Sequence, residues 1–216
     1  MRMLVFALCL GWAAGQDRVT LTGSITDTAG KPVDHATVLV YHAGLKVGYS
    51  TFCPSCYSDC GKRALTDADG RYSVAGLSPD LWFELLVVKD GFRPEMTKAP
   101  DAVLKPRAPV DDPSHAVRGR VVNGKGTPQR DAVVTPRGLA YTAPNGKPAR
   151  LVGAARGIDP IAVTNASGEF EIAYDKPAES MALMVEARGM ATRLFQGVPT
   201  GKDVHDLTVT ELNRLA

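Results

Sequence analysis

The sequence predicts an all-β protein of two tandem antiparallel β-sandwiches that follow a signal peptide. Apolar and polar residues alternate in short segments such as Val19–Ile25, which is the period of a half-buried strand. Turn-forming residues are frequent, because Gly and Pro account for 21 and 15 of the 216 residues. No segment keeps apolar residues at helical spacing between capping residues over several turns. These observations favour short strands joined by turns in sandwiches.

An internal repeat gives the chain two similar parts. The positions that recur at an offset of 96 residues are Gly23, Gly30, Pro32 and Ala36 in the first part and Gly119, Gly126, Pro128 and Ala132 in the second. Further along, the segments 66–72 and 164–170 match at an offset of 98 residues. Chance matches do not keep such a constant spacing, so we expect two copies of one unit of about 95 residues.

Residues 1–15 have the features of a secretory signal peptide. Arg2 supplies a positive charge, the segment Met3–Leu10 is apolar, and small residues follow before an expected cleavage site at Gln16. The apolar segment is shorter than the ~20 residues that span a bilayer. A bulky residue directly before Cys9 argues against lipidation of that cysteine. We therefore expect a secreted or periplasmic protein with no transmembrane segment.

We expect four segments, with boundaries taken from the leader, the repeat and a proline-rich stretch between the copies. They are the signal peptide at 1–15, a first sandwich at 16–104, a linker at 105–114 and a second sandwich at 115–216. Prolines in the linker favour a semi-stiff connection over a flexible one. The formal net charge of +2 gives no reason to expect binding to nucleic acid or to an anionic membrane.

The repeated motifs resemble those of the carboxypeptidase regulatory-like domain family. In the first copy they are Gly-x-Ile-x-Asp at 23–27, Gly-x-Pro at 30–32, Ala-x-Val at 36–38 and Thr-Asp-x-x-Gly-x-Tyr at 66–72, and the second copy keeps most of them. The resemblance covers almost all of residues 16–216 and implies a transthyretin-like, Ig-like sandwich of about seven strands in each copy. It also implies an accessory module of exported proteins. The motifs are turn glycines and core positions, which specify a fold more than a function.

The first copy departs from this pattern between Val40 and Thr66, where the segment is longer than the family's usual loop and contains Cys53, Cys56 and Cys60. Removal of the leader would leave these three cysteines in the chain. Outside the cytosol, one disulfide with one unpaired thiol is the favoured interpretation of such a set. Which two cysteines pair stays open.

Two alternatives for the same cysteines remain. Cys53, Cys56 and Cys60 could ligate one tetrahedral metal ion, with His42 or Asp59 as the fourth ligand, and zinc is the ion that suits such ligands. A complete zinc signature would have a second close cysteine pair, which the sequence lacks. The Cys-Pro-Ser-Cys segment also resembles a thiol-redox motif, but no helix is predicted there to lower a thiol pKa. No other cofactor is expected.

No catalytic motif is found in the sequence. None of the four histidines begins the His-x-x-Glu pair of a zinc carboxypeptidase, and we interpret all of them as surface residues. Trp82 and Phe83 are adjacent on one expected strand, so they face opposite sides of it. Burial in the core is the favoured interpretation of Trp82, whereas an exposed indole would be a candidate for stacking on a carbohydrate.

The sequence therefore predicts an exported, non-enzymatic accessory protein that binds or supports an unknown protein or carbohydrate partner. A metal-binding or thiol-redox protein that uses the cysteine segment is one alternative, and a carbohydrate-binding module is another.

Overall fold

The computed structural model describes residues 17–212, and within them the fold is all-β apart from one 3₁₀ turn at Pro113–His115. The predicted signal peptide at 1–15, with Cys9, lies outside the described residues. The strands of the first half are β1 (Val19–Asp27), β2 (Thr37–Leu45), β3 (Arg63–Leu65), β4 (Arg71–Leu77), β5 (Leu81–Val88), β6 (Glu95–Thr97) and β7 (Ala102–Leu104). No helix within residues 17–212 has the length and apolar character needed to cross a bilayer.

The first half is a sandwich of a three-stranded sheet, β4-β1-β7, and a four-stranded sheet, β3-β2-β5-β6. Neighbouring strands are antiparallel except β1 and β7, which run parallel. Alternate residues of β2 and β5, such as Val38 and Leu85, face the three-stranded sheet and form the core with Ile25 and Leu104. Leu39 and Leu86 belong to a separate apolar cluster.

The second half repeats this strand order with one strand added. Its strands are β8 (Ala116–Asn123), β9 (Val133–Thr142), β10 (Pro148–Val152), β11 (Ala162–Val163), β12 (Glu169–Ala173), β13 (Ser180–Glu186), β14 (Arg193–Pro199) and β15 (Val204–Val209). One sheet is β12-β8-β15, with β8 and β15 parallel, and the other is β10-β9-β13-β14, with β11 also paired to β9. A separate core lies between these sheets and includes Val121, Ile172 and Leu183.

The strand count of the second half differs from the predicted seven because its insert forms a hairpin. β9 is ten residues long, so its first residues pair with β11 and its last residues pair with β10. The sheets are antiparallel as predicted, except that the last strand of each half lies parallel to the first.

The repeated motifs perform the same local task in both halves. Thr66 is 3% exposed, and its hydroxyl donates to Val33 O (2.6 Å) and accepts from Ala36 N (2.8 Å). Thr164 is 2% exposed and makes the equivalent bonds to Gln129 O (2.6 Å) and Ala132 N (2.9 Å). Each threonine therefore fixes the turn that leads into the long central strand.

The two halves also bury apolar residues against each other. The junction cluster consists of Leu39, Leu86 and Val88 from the first half with Val133 and Ile161 from the second, and each is at most 8% exposed. It is separate from the two sandwich cores. The apolar residues are therefore buried between the two halves as well as within each sandwich, because one sheet of each half contributes residues to the junction.

The predicted linker is attached to the first half at its start. Arg93 N donates to Lys105 O and Arg107 N donates to Gly91 O, both at 2.9 Å, so residues 105–107 extend alongside residues 91–93. The Arg107 side chain then reaches the second half, where its guanidinium contacts Asp159 Oδ2 at 2.7 Å. The connection is thus fixed to the protein over these residues.

Candidate functional site

The cysteine loop, residues 46–62, connects β2 to β3 and folds back onto β2. Ala43 N donates to Pro54 O at 2.7 Å, and Gly61 N donates to Val40 O at 2.8 Å. These bonds attach both the middle and the end of the loop to the same strand. The loop tip is open to solvent, with Tyr49 91% exposed and Phe52 69% exposed.

Cys53 and Cys56 form a disulfide, so the predicted disulfide is confirmed and its pairing is assigned. Their Cα atoms are 5.2 Å apart, and both residues are exposed. Among the cysteines of residues 17–212, Cys60 is the free one and is partly buried. Its Sγ donates to Pro54 O at 3.3 Å. Burial raises the pKa of the Cys60 thiol, and the neighbouring Asp59 charge raises it further.

Asp59 anchors the base of the loop. Its side chain is 1% exposed, and it accepts hydrogen bonds from Lys62 Nζ (2.5 Å), Ser78 N (2.9 Å) and Arg18 Nη1 (3.2 Å). Burial by itself raises the pKa of this carboxyl, but the hydrogen bonds from Lys62 and Ser78 and the charges of Lys62 and Arg18 lower it below its ordinary value. Lys62 also donates to Gly76 O, so the loop, β4 and the start of β1 meet at one ionised carboxylate.

The residues of the zinc alternative are placed in two different environments. Cys53 and Cys56 are bonded to each other and so are not free thiolates. His42 Nδ1 lies 2.7 Å from Glu84 Oε2, and the His42 and Glu84 side chains are 31% and 26% exposed. Within residues 17–212 no group of three or more His, Cys, Asp or Glu side chains is arranged to hold a metal ion. Zinc binding would require a reduced and rearranged loop and stays an untested alternative.

His42, interpreted from the sequence as a surface residue, is partly exposed and pairs with Glu84. β2 carries one extra residue between Val40 and His42 relative to β5, a β-bulge that places His42 opposite Glu84. Sequence reasoning missed this contact because a bulge has no signal in a single strand's alternation.

The favoured interpretation placed Trp82 in the core, and the structure corrects it. Trp82 lies on the outer side of the four-stranded sheet and is not part of the core of the first half. Phe83 packs against the core of the first half instead. The indole lies directly against Gly44, where a Cβ would come within 2.4 Å of the ring. On the ring, Lys98 Nζ lies 4.6 Å from the centroid. A sugar could stack on the indole only after Lys98 moves, so this geometry does not favour the carbohydrate alternative.

Ionisable groups also meet beside the junction of the halves. A cleft of about 460 Å³ is lined by Arg93 and Arg107 from one side and by Asp159, Tyr174 and Asp175 from the other. Asp159 is already engaged there, because it binds Arg107 and accepts from Ala173 N at 2.8 Å. The cleft thus holds a bridge between the halves, which could not be predicted because Arg107 and Asp159 lie far apart in the sequence.

One known family model matches part of the first half. The family model described as carboxypeptidase regulatory-like domain matches residues 20–108. The match ends before the second half, so a second copy of that family stays a prediction. No curated protein matches the sequence.

Several solved structures with some likeness to the chain are pilins. A streptococcal ancillary pilin is 11% identical with a TM-score of 0.30, and the match covers 91% of this chain and 63% of that chain. Shaft pilin SpaA from Lactobacillus rhamnosus GG is 11% identical with a TM-score of 0.31, and the match covers 92% and 99%. Major pilin RrgB from Streptococcus pneumoniae is 13% identical with a TM-score of 0.30, and the match covers 92% and 48%. Likeness at this level carries no inference about what this chain does.

Proposed function

We propose that the protein is an exported, non-enzymatic accessory protein whose two β-sandwich units form one rigid structural element. The observation that carries the proposal is the junction cluster, in which five apolar side chains from both halves are each at most 8% exposed. A flexible pair of modules has no need to bury such residues between them. A rigid junction is what a protein needs in order to hold partners at a set spacing.

Polar contacts support the same fixed arrangement. Arg107 and Asp159 are 18% and 15% exposed and meet at 2.7 Å, so the pair is largely withdrawn from water. Glu171 Oε1 lies 3.9 Å from Arg107 Nη1, and its other oxygen binds Arg118 at 2.7 Å. Because residues 105–107 are themselves bonded to the first half, this network links the two sandwiches through the shortest connection between them.

The cysteine loop is the surface we propose for contact with a partner protein. Val47, Tyr49 and Phe52 are 88%, 91% and 69% exposed, and large apolar side chains exposed together are typical of interaction sites. Backbone hydrogen bonds at Pro54 O and Gly61 N hold the loop on β2, and the disulfide closes its middle, so a partner would meet a preformed surface at low entropic cost.

Backbone ¹⁵N relaxation of the full chain tests rigidity directly. Two units that tumble as one body give one rotational correlation time, whereas independent units give two shorter ones. We expect a single value for the wild type. In the double variant Arg107→Ala/Ile161→Ala the values are expected to separate, because burial of Ile161 at such a site is worth ~2–5 kcal/mol.

Val152→Ala is the matched control, since Val152 is 92% exposed and the variant should tumble like the wild type. Separate correlation times in the wild type itself would refute the rigid element. Export is tested by expression with the complete leader, where we expect the secreted protein to begin at Gln16. Retention of the leader on a cytoplasmic product would refute that part of the proposal.

A further inference from the structure

Three sulfur atoms with different environments lie within one short segment of the cysteine loop. Cys53 and Cys56 are exposed and bonded to each other, whereas Cys60 is reduced and partly buried. Pro54, whose carbonyl accepts the Cys60 thiol at 3.3 Å, lies inside the four-residue ring that the disulfide closes. The free thiol therefore contacts the disulfide ring itself.

Two consecutive turns create this contact. Cys56 N donates to Cys53 O at 2.9 Å, and Cys60 N donates to Tyr57 O at 3.0 Å. The second turn starts directly after Cys56, and the Cys60 thiol that follows it donates to Pro54 O within the disulfide ring. Ala43 N donates to the same Pro54 carbonyl, so β2, the disulfide ring and the thiol meet at one oxygen atom.

From this geometry we propose that Cys60 exchanges with the disulfide and transfers the free thiol to exposed Cys53, which then forms mixed disulfides with external disulfide compounds. This activity goes beyond the rigid structural role and does not depend on it. It assigns a task to the unpaired cysteine, and it makes the loop a covalent attachment site for a partner that contains a disulfide.

The exchange balances without an added oxidant or reductant. The Cys60 thiolate attacks Cys56 Sγ, a Cys56–Cys60 bond forms, the Cys53–Cys56 bond breaks, and Cys53 leaves as a thiolate. The proton that Cys60 releases is available to Cys53. In the second step the Cys53 thiolate attacks a disulfide R–S–S–R, which forms Cys53–S–S–R and releases R–S⁻.

The burial of Cys60 explains why a relay would be needed. A partly buried thiol, bonded to a carbonyl beneath the loop, is poorly placed to meet a bulky disulfide, whereas Cys53 at the surface is accessible. Burial and the adjacent Asp59 carboxylate both raise the pKa of Cys60, while Lys62 and Arg18 pair with that carboxylate. The thiolate fraction is therefore small at neutral pH, and we expect the first step to take hours.

Glutathione disulfide is the probe for the test. The full oxidised chain is incubated with it at mildly alkaline pH, acid-quenched, alkylated and mapped by non-reducing peptide mass spectrometry. We expect a Cys56–Cys60 disulfide with glutathione on Cys53 to accumulate in the wild type. In Cys60→Ser, glutathione on Cys53 is expected to fall about tenfold or more, because the internal thiol is absent.

Cys53→Ser serves as the second variant, and it should contain a Cys56–Cys60 disulfide with an unchanged circular dichroism spectrum. Glutathione confined to Cys60 in the wild type, with Cys53–Cys56 intact, would overturn the proposal. So would equal labelling of Cys53 in the wild type and in Cys60→Ser, or a Cys53→Ser chain that folds but leaves Cys56 and Cys60 reduced after oxidation.

Discussion

The buried threonine that recurs in both halves allows a matched pair of stability measurements. In Thr66→Val the hydroxyl is replaced by a methyl group of similar size, so the side chain still fills its site. The change leaves Ala36 N and Val33 O without the partner they have in the wild type. Thr164→Val does the same to Ala132 N and Gln129 O.

The expected cost follows from these two unsatisfied groups. Leaving a buried donor or acceptor without a partner costs ~1–3 kcal/mol, so each valine variant is expected to lose about 2–4 kcal/mol in its free energy of unfolding. With a urea dependence near 2 kcal/mol/M, this lowers the unfolding midpoint by about 1–2 M. The serine variant of each threonine keeps the hydroxyl and loses one methyl group, for a cost of about 0.8 kcal/mol.

Urea unfolding followed by two signals separates the halves. Trp82 is the sole tryptophan within residues 17–212, so its fluorescence reports the first half, while far-ultraviolet circular dichroism reports both. Thr66→Val should shift the fluorescence midpoint. Thr164→Val should shift it as well only if the junction couples the halves. A loss below about 0.5 kcal/mol for Thr66→Val, or a serine variant as unstable as the valine variant, would refute the reasoning.

Two further predictions concern a turn and a buried carboxylate. Gly70→Ala is expected to lower the urea midpoint more than Gly30→Ala does. Both glycines have positive φ, but a Cβ at Gly70 would lie 2.4 Å from Ile25 O, whereas Gly30 faces open space. Equal midpoints for the two variants would contradict this. Asp59 has a pKa below its ordinary value of 3.8 in the folded state, so its contribution is present above that pH and is lost as the pH falls further. Asp59→Asn should remove this part of the acid sensitivity, as measured by urea midpoints between neutral and acid pH. An unchanged pH profile in the variant would argue against the Lys62 contact as the cause of the lowered Asp59 pKa.

Much of the fold could be predicted because the repeat encodes turns and strand alternation locally. Gly70 and its equivalent Gly168 have φ near +72° and +75°, and a Cβ at either would approach the carbonyl of the first strand, so glycine recurs at these positions for a steric reason. Alternation in β5 likewise separates Phe83, which packs on the core, from Trp82 on the outer side.

The parts that could not be predicted depend on contacts between distant segments. The junction cluster uses residues such as Leu86 and Val88, which in a single sequence look like more of the same buried strand. The disulfide pairing depended on how the loop turns, since three cysteines so close together allow every pairing. By sequence Asp59 is a candidate metal ligand, and only its burial beside Lys62, Arg18 and Ser78 identifies it as an anchor.

The two halves use different means to stabilise an insert at the same place in the fold. Each insert connects the long central strand to the short strand that pairs with its beginning, at 46–62 in the first half and 143–161 in the second. In the second half the insert forms β10 and pairs with the end of β9, so backbone hydrogen bonds support it. In the first half the insert forms no strand and is held by a disulfide, a buried carboxylate and carbonyl contacts to β2. Pairing in a hairpin fixes the positions of its side chains, whereas a loop held at a few points can expose aromatic residues and a reactive sulfur. This is the physical reason to look for the protein's specific contacts in the first half.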